Sequence, residues 1–139
     1  MYLLDTNVVS ELRRTRSGRA HPRVAAWAAA VPGAELFVSV IVLQEIEIGV
    51  LLIERRDPAQ GVVLRRWYEG TVLPGFQGRI LPVDTATARR SASLNVPDPR
   101  PVRDGLIAAT ALVHGMVVVT RNIADFETTG AAVLNPWED

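Results

Sequence analysis

Cysteine is absent from this 139-residue chain, and so is lysine. Without cysteine there is no disulfide framework and no thiolate zinc site, which suits a reducing compartment. Without lysine, a receiver-type signalling domain loses the side chain that holds its acyl phosphate at a late strand end. Histidine occurs only at positions 21 and 114; both are isolated and are assigned no chemistry. No run of about 18 apolar residues occurs, and no basic region followed by an apolar segment of signal length, so a cytoplasmic protein is the expectation. Net charge is zero, which argues against broad, sequence-blind binding to nucleic acid. There is no repeat, low-complexity tract or long linker.

What remains is ordinary globular material. Hydrophobic residues make up 48% and charged residues 22%, and the length suffices for one domain, residues 1–139, with a real core. All fifteen basic residues are arginine. Five of them, Arg13, Arg14, Arg16, Arg19 and Arg23, crowd the stretch between the first two expected helices. Arginine's planar fork suits phosphate oxygens. A solvated loop explains the same cluster equally well.

The pattern of apolar runs and breakers reads as alternating strands and helices. Residues 2–4 form a short buried strand, and Thr6 or Asn7 caps a helix to about Arg14. His21-Pro22 opens an alanine-rich helix closed by Pro32-Gly33. Leu36 to Val40 is a second strand, followed by a helix from Ile41 to about Arg56 and another from Ala59 to about Thr71. Pro74-Gly75 breaks the chain before a strand at Ile80 to Val83. Asp84 or Thr85 caps a helix through Leu94, and the prolines at 97, 99 and 101 hold the next segment extended. A helix from Val102 to His114 ends on Gly115. Met116 to Val119 is a fourth strand and Ala132 to Leu134 a fifth. Such alternation predicts an α/β protein with a parallel sheet covered on both faces.

Four carboxylates fall at the carboxyl edge of that sheet, where open α/β sheets place ligands. Asp5 ends the first strand, Glu45 lies in the opening turns of the helix after the second, Asp104 starts the helix into the fourth, and Asp125 follows it. Glu45 has Ile41, Val42, Ile48, Gly49 and Leu52 on its helical stripe and is expected to face inward; Glu47, beside Gln44 and Glu54, is expected on a solvated face. Asp104 shares its stripe with Ile107, Ala108 and Ala111. Buried acids stay ionised together only if a cation compensates them, and hard oxygen donors select Mg²⁺ or Mn²⁺. Each acid also has a structural reading: Asp5 as a helix cap, Asp104 as complement to a helix dipole, Asp125 as a turn residue. Thr120 and Asn122 stand where they can orient a ligand or water, or close a strand-end turn. Trp27, Trp67 and Tyr68 read either as core or as a groove for a partner helix. A phosphatase using Asp5 as nucleophile wants a second aspartate two residues on, where this chain has Asn7.

Leu4-Asp5-Thr6-Asn7, the Val42-Leu43-Gln44-Glu45 stretch, Asp104-Gly105-Leu106-Ile107-Ala108-Ala109-Thr110 and Val119-Thr120-Arg121-Asn122 with Asp125-Phe126 together resemble a PIN-domain ribonuclease. The likeness is to the VapC toxins of type II toxin–antitoxin pairs, including the FitB-like branch, and it spans the chain. It implies a three-layer α/β/α sandwich with four to five parallel strands. It implies a Mg²⁺- or Mn²⁺-dependent endoribonuclease, acting as a homodimer and neutralised by a VapB- or FitA-like antitoxin whose complex binds promoter DNA. Carried over by position, Asp5, Glu45, Asp104 and Asp125 are the catalytic acids, the first three as metal ligands, with Thr6, Thr120 and Asn122 in support. Arg13, Arg14, Arg16 and Arg19 become candidates for RNA contact. Many relatives have aspartate where this chain has Asn122, which makes the fourth position the least secure. The rival reading is a catalytically weak PIN-like module that acts through its antitoxin and DNA.

Overall fold

The computed structural model describes residues 1–138. Its sheet is built from β1 (Tyr2–Leu4), β2 (Leu36–Ser39), β3 (Ile80–Leu81), β4 (Val117–Val119) and β5 (Val133–Leu134), in the order β3-β2-β1-β4-β5. Every neighbouring pair is parallel. The helices are α1 (Thr6–Leu12), α2 (Pro22–Ala30), α3 (Val40–Arg56), α4 (Pro58–Trp67), α5 (Leu73–Gly75), α6 (Thr85–Leu94) and α7 (Val102–His114). They cover the sheet as an α/β/α sandwich, the expected class. No helix among the described residues is long and apolar enough to cross a membrane.

The core forms where strand and helix apolar positions meet. Leu3, Leu4, Val38, Val118 and Val119 from the sheet are fully buried, against Val8, Val42, Ile107, Ala108 and Phe126 from the segments around it. The strands are short and apolar on both faces, as a sheet covered on both sides requires. β1 runs between β2 and β4, with Leu3 opposite Phe37 and Val118. Connections leave β1 and its neighbours toward opposite edges of the sheet, so its carboxyl end opens at a topological switch point.

Local chemistry sets the helix ends. Ser39 Oγ accepts from the Ile41 N–H to start α3, and the Asp57 carboxylate accepts from the Gln60 N–H to start α4. Asp84 does the same for α6 through the Thr87 N–H at 2.9 Å. Gly115, at φ 65°, takes the left-handed conformation that closes α7.

Several expectations are corrected. α1 is capped by Asp5 itself rather than by Thr6 or Asn7, and it stops at Leu12, short of the arginine-rich turn. β2 ends at Ser39 because Ser39 becomes the cap of α3; β3 ends at Leu81, before Pro82. The fourth helix does not stop near Thr71: it passes through a π-helical turn, Tyr68–Val72, into α5. Pro74 stands at the second position of α5, directly after that turn. Residues 96–98 bend rather than run extended. On α3 the buried side is Val42, Ile46 and Val50, while Leu52 is 62% exposed. Glu45 therefore lies at the border of the buried stripe, not in its middle.

Glu47 is not simply solvated either. Arg65 of α4 donates to Glu47 at 2.6 Å and to Glu54 at 2.8 Å, clasping the α3–α4 hairpin. The two helices approach so closely that a Cβ on Gly61 would stand 2.6 Å from the Cα of Glu54.

Candidate active site

Asp5 is delivered by the end of β1, its N–H donating to the Val119 carbonyl at 2.9 Å. One carboxylate oxygen, Oδ1, accepts from the Thr6 N–H at 2.8 Å, which makes Asp5 the cap of α1. The other, Oδ2, accepts from Thr120 Oγ1 at 2.8 Å. The capping and site readings of Asp5 are thus compatible, each using a different oxygen. Thr120 is fully buried just past β4, and its Oγ1 also accepts from the Asn122 N–H at 3.0 Å.

The other three acids converge on Asp5 electrostatically. Burial pushes the Asp5 carboxyl above its ordinary value and the charge of Asp125 adds to this, against the hydrogen bonds from Thr120 and Thr6. Glu45 is also raised, by burial and then by Asp5 and Asp104, with the Thr6 hydroxyl and Arg103 opposing. Asp104 is raised by burial, by Asp125 and by Asp5. Asp125 itself is solvent-exposed, on a 3-10 turn (Ile123–Asp125). Among the described residues the ion pairs are those of Arg65 with Glu47 and Glu54, so none of the four acids has a salt-bridge partner.

Thr6 Oγ1 is buried and finds no hydrogen-bond partner of ordinary geometry, although Glu45 is close enough to feel it. Among the described residues, no three acidic or histidine side chains stand close enough to form a ready metal shell by themselves. The arrangement is an open cluster of negative charge around a firmly held Asp5.

Several participants escape a sequence reading. Asn7 Nδ2 approaches both Asp5 Oδ2 and Thr120 Oγ1 at 3.4 Å, and its Oδ1 accepts from the Arg121 N–H at 3.2 Å. Its place two residues after Asp5, in the same first helical turn, was the available signal. Arg103, next to Asp104, is the cation nearest in effect to Glu45. Arg100 donates to the Leu94 carbonyl at 2.8 Å, to Thr128 Oγ1 at 2.7 Å and to the Thr128 carbonyl at 2.9 Å. It ties the segment before Asp104 to the turn after Asp125, and nothing in its sequence context signals this. Asn122, by contrast, meets the site through its backbone: its carbonyl accepts from the Asp125 N–H at 3.1 Å.

Arg13, Arg14, Arg16 and Arg19 are exposed after α1, and Arg23 is exposed in the first turn of α2. Arg13 and Arg14 open onto a groove that includes Asn7, whereas Arg16 and Arg19 line separate hollows. Arg13 lies over the ring of Trp67. Tyr68 is core, its hydroxyl donating to the Leu43 carbonyl at 3.3 Å. Trp27 packs edge-on against Tyr2 at 5.3 Å.

Comparison with known proteins converges on one family. The sequence model of the PIN domain matches residues 2–131. The chain is 37% identical over 143 residues to the VapC ribonuclease Y4jK of Sinorhizobium fredii, covering 99% of each protein. It is 37% identical over 144 residues to Toxin FitB of Neisseria gonorrhoeae, covering 100% of each. Among solved structures it superposes with a TM-score of 0.87 and 36% identity on a chain of FitAB bound to an IR36 DNA fragment, covering 99% of this chain and 96% of that one.

Proposed function

The chain belongs to the PIN-domain family, and on that premise we propose that it is a toxin of a type II toxin–antitoxin pair, an endoribonuclease that hydrolyses phosphodiester bonds in RNA. The observation that carries this reading is the buried Asp5, fixed by Thr120 and raised together with Glu45 and Asp104 near Asp125, with no salt bridge to these acids among the described residues. The relatives named VapC ribonuclease and Toxin FitB support the activity and the biological role. The FitAB–DNA structure supports a FitA- or VapB-like antitoxin as partner and DNA as a ligand of the complex. A homodimer suits the exposed Leu51, Leu52, Val62 and Val63 on the α3–α4 hairpin, apolar surface of the kind assemblies bury.

The donor set fits a hard divalent cation. Carboxylates and threonine hydroxyls are oxygen donors, the carboxyls of Asp5, Glu45 and Asp104 are all pushed upward by burial and by one another, and Thr6 Oγ1 is an orphaned buried oxygen. Asp5 and Asp104 would hold Mg²⁺ or Mn²⁺, with Glu45 sharing it. Bound there, the cation supplies an acidified water and neutralises charge developing on the scissile phosphate.

The protein's own contribution is positional. Thr120 and the Thr6 N–H fix both oxygens of Asp5, so its orientation is set before substrate arrives. Glu45, half-buried and raised, takes the proton of the attacking water. Water adds to phosphorus in line and the 3′-oxygen departs. Asp125 and the Asn122 backbone border the site and act through solvent. Purified protein incubated with total RNA, with Mg²⁺ or Mn²⁺ and with chelator, tests this beside Asp5→Asn. Discrete products that need the cation and vanish in the variant are expected. No cleavage by a folded protein under either cation would instead favour a binding module that acts through its antitoxin and DNA.

A further inference from the structure

One groove of the molecule combines arginines and indoles with a direct link to Asp5 through Asn7. It measures about 400 Å³ and is lined by Asn7, Arg13, Arg14, Trp67, Arg121 and Trp137. None of these arginines forms an ion pair among the described residues, and all three are exposed. Two guanidiniums lie on indole faces, Arg13 over Trp67 at 5.8 Å and Arg121 over Trp137 at 5.4 Å. The single acid on its wall, Glu11, is engaged by the His21 N–H at 3.3 Å. A larger hollow has a more apolar wall, with Trp27, Val133, Leu134 and Pro136 beside Arg23 and Glu138.

Asn7 joins this groove to the carboxylates. Its amide touches Asp5 and Thr120 on one side and accepts the Arg121 N–H on the other. A polyanion lying in the groove therefore passes from a row of unneutralised arginines directly to Asp5. The flat faces favour bases that are not stacked on one another, because a guanidinium or indole plane accepts a free base but not one enclosed in a duplex.

We infer that this groove is a binding subsite for single-stranded RNA, in which Arg121, backed by Trp137, forms the platform for a base adjoining the cleaved bond. The inference rests on the ribonuclease reading above and adds to it the residues that receive the strand beside the cleaved bond. Arg13 and Arg14 follow the backbone; Arg121 and Trp137 receive the base. Both act by holding substrate, so their loss is felt in KM rather than in kcat.

The test uses the Asp5→Asn protein titrated with a fluorescein-labelled single-stranded RNA of mixed sequence and with the same RNA as a duplex. Trp137→Leu keeps apolar bulk and removes the ring; Arg121→Gln changes an exposed side chain and leaves the core untouched. Each is expected to weaken single-strand binding about 10-fold, with little effect on the duplex. Arg14→Gln, where the groove follows the backbone, is expected to reduce the salt slope by roughly 0.7, and Arg121→Gln to leave it nearly unchanged. In the cleaving protein both changes are expected to raise KM several-fold at nearly unchanged kcat. Arg90→Gln, exposed on α6 and away from the groove lining, is the control. Unchanged single-strand affinity and KM in folded Trp137→Leu and Arg121→Gln proteins would overturn the inference while leaving the nuclease intact. The inference would fall equally if these changes weakened antitoxin capture and not RNA binding. Failure of the parent proteins to bind or cleave any RNA would remove the nuclease reading itself, and the subsite with it.

Discussion

Thr120 Oγ1 donates to Asp5 Oδ2 at 2.8 Å across 115 positions of the chain, in a buried environment. That one bond joins the ends of β1 and β4 and fixes the carboxylate on which the other three acids converge. Hydroxyl chemistry at residue 120 consequently governs both the strand edge and the site.

Thr120→Val preserves shape and removes the hydroxyl. It leaves Asp5 Oδ2 and the Asn122 N–H without their partner, at a cost of about 1–3 kcal/mol in stability. Cleavage is expected to fall roughly 10- to 100-fold, the usual penalty for losing an orienting partner of a ligand. Thr120→Ser keeps the donor and is expected to restore most of both. Urea unfolding with single-turnover cleavage checks this; equal behaviour of the valine and serine variants would refute it.

The acids themselves should destabilise the cation-free protein. Asp5, Glu45 and Asp104 all have folded values raised above the ordinary ones, burial being the first cause in each. A raised folded value means that their stability contribution is complete below about pH 4 and is lost as pH climbs through the raised values. Asp5→Asn retains a capping oxygen and removes the buried charge. Its melting temperature without cation is expected to exceed wild type by roughly 3–5 °C at pH 7, the equivalent of about 1 kcal/mol, and to match it at pH 4. Mg²⁺ or Mn²⁺ is expected to raise the wild-type melting temperature and not that of the variant. A variant less stable than wild type at neutral pH would count against the crowding of charge.

Arg100 has three acceptors on two segments. Arg100→Ala is expected to lower the melting temperature by several degrees, since hydrogen bonds to a charged group contribute about 1.5–3 kcal/mol. Loosening the Asp104 and Asp125 segments relative to each other is expected to reduce apparent cation affinity several-fold. Cation titration of cleavage reads this directly, and an unchanged midpoint would confine Arg100 to a structural role.

Gly61→Ala probes the helical hairpin. The added Cβ meets backbone of α3 at 2.6 Å, so the helices must separate, at a cost of about 1–3 kcal/mol. The same substitution at Gly70, where nothing lies within 4 Å, is expected to be far milder. Comparing the two by thermal unfolding separates helix propensity from close approach.

Much of this was legible in the residues. Helix α7 runs from Val102 to His114 as its pattern predicts, because Pro101 and Gly115 are unambiguous boundaries. Asp5, Glu45, Asp104 and Asp125 could be placed at one edge because each sits near a strand end or a helix start, where parallel topology leaves no choice of edge. What escaped depended on three dimensions. Pro74 signals a break, yet a π-helical turn carries the chain through it. The periodicity of α3 is apolar nearly all round, so its buried side is chosen by α4 and Arg65 rather than by pattern. Asn7, Arg100 and Arg121 act through partners distant in the chain, which no local pattern encodes.

The central place of β1 in the sheet also sets a clock for synthesis. Its partners emerge later, β2 from residue 36 and β4 not until residue 117. A ribosome that has delivered Asp5, Glu45 and Asp104 has still not delivered Thr120 or Asp125. An interrupted translation product ending before β4 thus carries most of the acids and lacks the donor that aims the first of them. The edge of the sheet that holds Asp5 is therefore completed only when the chain is almost fully made.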